Sequence, residues 1–76
     1  MNIAMYWHDN DPKTDLAAKV AKAASYYATK YGAVPNLCFV HPSMLPPAAP
    51  QAVDGIELRV SAWVQNNHFW IGVDSK

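Results

Sequence analysis

Cysteine, glycine and charge are all scarce in this chain. Cys38 is the only cysteine, which excludes an intramolecular disulfide and a cysteine-based zinc site. Within its apolar run it reads as a small buried hydrophobe. The three glycines, Gly32, Gly55 and Gly72, are scattered, so there is no glycine-rich loop to cradle a phosphate, and nucleotide binding by that route is excluded. Charged residues make up 16% of the chain, against an ordinary share of about 25%. Six basic and six acidic residues cancel to a formal net charge of zero, which argues against a nucleic-acid binder that works by general attraction to phosphates. No apolar run approaches the ~20 residues that cross a bilayer. The opening stretch MNIAMYWHDN lacks the basic and apolar regions of a signal peptide. These absences lead us to expect a cytoplasmic protein with no membrane association and no cofactor.

What is present is apolar. Hydrophobic residues are 51% of the 76, enough for one small domain spanning residues 1–76. A chain this short buries only about 60% of its unfolded surface. One helix and a small sheet do not readily hide so much apolar material, so a protein partner or a second copy is expected. The three tryptophans, four tyrosines and two phenylalanines supply the large side chains of a small core, and any surplus suits an interface.

The strongest local signal runs from Pro12 to Gly32, PKTDLAAKVAKAASYYATKYG. At 100° per residue, Leu16, Val20, Ala24, Tyr27 and Tyr31 share one stripe, flanked by Ala17 and Ala28. The spacing predicts a helix over about 12–31. Asp11 is the expected cap and Pro12 suits the first helical position. Asp15 and Lys30 complement the dipole. Gly32 and Pro35 mark the end.

Before it, Ile3, Met5 and Trp7 alternate with Ala4, Tyr6 and His8, a strand apolar on nearly both sides. After it, Leu37 to His41 forms a short buried strand. Strand, helix and strand make a βαβ unit with parallel strands. The prolines Pro42, Pro46, Pro47 and Pro50 predict an extended loop over about 42–54. A C-terminal β-hairpin is then expected over about 55–74. Its first arm, Gly55 to Val64, sets Ile56, Leu58, Val60 and Ala62 against Glu57, Arg59 and Ser61. Gln65 to Asn67 is its turn, because Asn tolerates left-handed backbone. The second arm sets Phe69, Ile71 and Val73 against Trp70 and Gly72. The expected fold is therefore α/β (α+β), in the order β-α-β-β-β: a four-stranded mixed sheet with one long helix packed on one face. The other face carries Tyr6 and Trp70 as candidate aromatics. A half-covered sheet commonly takes its second layer from another copy.

Three functional readings come from these residues. The first is association without catalysis, as a homodimer or a subunit of a larger assembly, through Tyr6, Trp70, Met44 and Leu45. The second is a metal-dependent or hydrolytic site at the shared C-terminal edge of the parallel strands, from His8, Asp9 and His41. Against it, Asp9 and Asp11 serve equally as turn and cap residues. Ser43, His41 and Asp9 are the types of a catalytic triad, but nothing like a nucleophile elbow surrounds Ser43. His68 falls at the opposite edge if the last two strands form a hairpin. The third is a weak nucleic-acid contact through Lys19, Lys22, Tyr26 and Lys30, with Tyr26 stacking on a base; the same stripe reads equally as a solvated helix face. No stretch carries a motif that assigns the chain to a family.

Overall fold

The computed structural model describes residues 3–45 and 51–74. It is an α+β fold in which one helix packs on a mixed sheet. The elements run β1 (Ile3–His8), α1 (Leu16–Tyr31), β2 (Leu37–Val40), a 3-10 turn (Pro42–Met44), β3 (Ala52–Val53), β4 (Ile56–Val60) and β5 (His68–Val73). The sheet has five strands rather than four, in the order β1-β5-β2-β4-β3.

The helix begins later than its sequence pattern suggests. Asp15, not Asp11, is the cap: its backbone is extended, and its carboxylate accepts the N–H of Ala18 at 2.8 Å. Asp11 instead closes the turn before the helix, accepting from Lys13 N–H at 2.9 Å and from the Thr14 hydroxyl at 2.8 Å. Two aspartates stand four residues apart, each followed by helix-compatible residues, and local pattern cannot choose between them. The far end follows the expectation: Gly32 takes the left-handed conformation at φ 70°, and its N–H reaches Ala28 O at 2.9 Å. Val20, Ala23 and Tyr27 are the buried helix residues. The buried stripe is thus turned slightly from the expected one, with Ala23 inside, Ala24 half-buried and Tyr31 exposed.

The region expected as one loop, 42–54, contains a 3-10 turn and a strand; Pro46, Pro47 and Pro50 lie outside the described residues. Asp54 and Gly55, at φ 50° and φ 80°, are both left-handed, as a two-residue hairpin turn requires. They fold β3 back on β4, pairing Val53 with Ile56.

The expected hairpin over 55–74 does not form. β4 pairs in parallel with β2, and β5 lies between β1 and β2, antiparallel to both. β4 also ends at Val60 rather than Val64. β1 and β2 do run in the same direction, but with β5 inserted between them rather than side by side. Burial drives this arrangement. Phe69 and Ile71 are large, apolar and fully buried; a central position between β1 and β2 covers them on both sides. They form the core with Met5, Cys38, Val40, Ile56 and Leu58 under Val20, Ala23 and Tyr27 of α1. Trp7 packs at its margin, ring to ring with Tyr26 at 4.7 Å, its indole N–H buried without a hydrogen-bond partner.

Candidate interaction surface

With α1 on one side, the sheet's other face is built from the alternate residues of each strand. The register sets Tyr6 opposite Trp70 on one ladder and Phe39 opposite Trp70 on the next. One row therefore crosses three strands with three aromatic side chains. Tyr6 meets Trp70 edge to face, with ring centroids 6.1 Å apart. Beyond Phe39 the row ends at Arg59, whose guanidinium pairs with Glu57. The apolar part of the face is bounded by that ion pair.

The connection from β4 to β5 crosses this face. Ser61 starts it by accepting the Trp63 N–H on its hydroxyl and the Val64 N–H on its carbonyl, each at 3.2 Å. That tight turn drives Val64 inward, 1% exposed, and throws Trp63 outward, 91% exposed. Gln65 N–H then donates to the Tyr6 hydroxyl at 3.1 Å, and Asn67 takes the left-handed conformation at φ 64° before β5. A pocket of about 310 Å³ remains between loop and sheet, lined by Ala4, Phe39, Ser61, Trp63, Val64 and Trp70. Trp70 is 44% and Tyr6 50% exposed. Burying an indole removes roughly 150–250 Å² from water, about 4 kcal/mol or more in gross area terms. An indole left in water forgoes nearly all of that gain.

The sheet edge where β1 and β2 end is polar. The structure corrects the expected place of His68: because β5 is antiparallel to β1, His68 sits opposite His8, with rings 4.7 Å apart. Tyr6 stacks on the other side of His68 at 4.9 Å. His68 Nδ1 donates to Asn66 O at 2.9 Å. His41 caps the 3-10 turn, its Nδ1 accepting the Ser43 N–H at 3.1 Å and lying 2.8 Å from the Ser43 hydroxyl, which is bonded to Asn66 Oδ1 at 3.1 Å. Asp9 accepts the Asp11 N–H at 3.0 Å. Apart from His8, whose ring packs against His68, these groups are therefore engaged in local turns or caps. Among the described residues no three His, Cys, Asp or Glu side chains come together so as to hold a metal ion.

The other sequence candidates are placed as follows. Met44 and Leu45 are half-buried against the core rather than presented to solvent, and Met44 Sδ accepts the Asn67 N–H at 3.1 Å. Lys22 and Lys30 are exposed and Lys19 half-buried on the outward side of α1. Tyr26 has one ring face against Trp7, and Lys30 Nζ lies 5.3 Å from the ring of Tyr31. Sequence reasoning missed Trp63. Alternation along an assumed strand to Val64 hid it, and the signal that would have shown it is Ser61, a residue that starts turns.

Compared with known proteins, the chain matches no family model, no curated protein and no solved structure. Among the described residues, no helix is long and apolar enough to cross a membrane.

Proposed function

We propose that this chain is a non-catalytic α+β domain that acts through protein–protein association, as a homodimer or a subunit of a larger assembly in the cytoplasm. The observation that carries the reading is Trp63, 91% exposed beside the half-exposed Trp70 on the face that α1 leaves open. Interfaces are enriched in tryptophan and tyrosine at their energetic centres. The neighbouring pocket is apolar enough to take a side chain from the partner. Tyr6 completes the patch, whereas Met44 and Leu45 pack against the core. A reducing compartment suits a chain whose lone Cys38 is buried.

The test is light scattering and tryptophan emission of the intact chain over a wide concentration range. Association through this patch raises the solution mass and shifts the emission to the blue as Trp63 leaves water. Trp63→Ser with Trp70→Ser lowers the mass and leaves the circular dichroism unchanged. An assembly whose mass the double variant does not alter would overturn the reading.

A further inference from the structure

β1 is an edge strand. The order β1-β5-β2-β4-β3 leaves it outermost, and among the described residues no strand pairs with its other side. Asp9 N–H donates to Asn67 O at 2.9 Å, on the register that sets Trp7 opposite Phe69 and Met5 opposite Ile71. In an antiparallel ladder, opposed residues alternate between exchanging both hydrogen bonds and exchanging none. Trp7 and Met5 therefore spend their backbone groups on β5, as the Asp9 N–H does on Asn67 just before it, while Ala4, Tyr6 and His8 turn N–H and C=O to the free side.

The two edges of the sheet are built differently. β3, at the far edge, is two residues long and follows closely on Pro50. Shortness and proline are ordinary guards against edge pairing. β1 is six residues, IAMYWH, with no proline, no glycine and no Lys, Arg, Asp or Glu. It is unguarded. Its free side also reads the same after a two-fold rotation, since each outward N–H then meets an outward C=O. With a formal net charge of zero, one copy does not repel another.

We propose that two copies of this chain join β1 to β1, antiparallel about a two-fold axis perpendicular to the sheet at Tyr6, into one continuous sheet. This rests on the reading above that the chain associates, and names one partner as a second copy, joined at the sheet edge so that Trp63 and Trp70 stay free for a further subunit. Ala4 of one copy faces His8 of the other, and Tyr6 faces Tyr6, each pair exchanging both N–H···O bonds. Every backbone group that β1 turns outward between Ala4 and His8 is then paired, which no register shifted along the strand achieves. Met5 faces Trp7 on the helix side. The two open faces lie on the same side, so both aromatic patches merge into one surface with the Tyr6 pair at its middle.

Residue-resolved amide hydrogen exchange, with solution mass, tests the pairing on the intact chain. The expected result is a mass of at least two chains, still two in Trp63→Ser with Trp70→Ser, with the Ala4, Tyr6 and His8 amides exchanging as slowly as those of Met5 and Trp7. Dilution to single chains should speed the even-numbered amides alone. Ala4→Pro removes a donor that the chain itself does not use, and should give a single chain with Met5 and Trp7 still protected. If that variant does not fold, the exchange pattern of the unaltered chain decides. A dimer with fast Tyr6 and His8 amides overturns the pairing, and if Trp63→Ser with Trp70→Ser dissolves that dimer, association through the face survives it. A chain that stays single at every concentration also overturns the pairing.

Discussion

The backbone N–H of Gln65 donates to the hydroxyl of Tyr6 at 3.1 Å. This bond fastens the middle of the β4–β5 connection to the edge strand. With Val64 buried just before it, the connection is pinned at two points, and Trp63 is held out on a fixed support.

Tyr6→Phe keeps the ring contacts with Trp70 and His68 and removes only the acceptor. Gln65 N–H is near solvent and can turn to water, so the expected loss is about 1 kcal/mol. The Gln65 amide should exchange faster and Trp63 should gain mobility, while the β1 amides facing β5 keep their protection. Site-resolved exchange and a urea titration check this.

Asp15→Ala should destabilise the fold by about 1 kcal/mol, as loss of a helix cap does, whereas Asp11→Ala leaves α1 capped. Asp11 is distinguished by its titration. The Lys13 N–H, and then the Thr14 hydroxyl, hold its carboxyl below the ordinary carboxylate range. The unfolded chain takes up that proton first as pH falls. The stabilisation is therefore present above the ordinary carboxylate range and is lost as pH drops through the lowered value. Carbon-detected titration should find Asp11 low, and Thr14→Val should move it upward.

Gly32 and Gly55 stand at φ 70° and φ 80°, with nothing within 4 Å of where a Cβ would lie. Alanine at either position meets no clash, so its cost is backbone strain alone, about 1 kcal/mol each. Asparagine, which tolerates this conformation, should recover much of it. Urea midpoints of the four variants measure the difference.

Burial pushes the Cys38 thiol up to about 12. The folded protein should resist thiol reagents at mildly alkaline pH and react fully once unfolded in urea. The unfolded chain loses this proton near 9.0. The stabilisation from a neutral buried thiol is thus complete below that value and lost as pH rises toward 12. Cys38→Ala should flatten the alkaline limb of a stability–pH curve.

The sequence by itself determined the body and end of α1, the strands β1, β2 and β5, and which way most of their residues face. Alternation put Met5 and Trp7 on one side of β1 with Tyr6 on the other, and set Phe69 and Ile71 against Trp70. Glycine's freedom from a Cβ ended α1 at Gly32. These are short-range effects of sterics and period, legible in a window of a few residues. Tertiary structure alone decided which strands are neighbours. A period of two says which face a residue occupies and nothing about what lies beside it. β5 is drawn between β1 and β2 because Phe69 and Ile71 are best buried at the centre of the sheet, a choice made by residues at opposite ends of the chain. That one insertion brought His68 against His8, undid the hairpin, and stretched the β4–β5 connection across the open face with Trp63 at its crest.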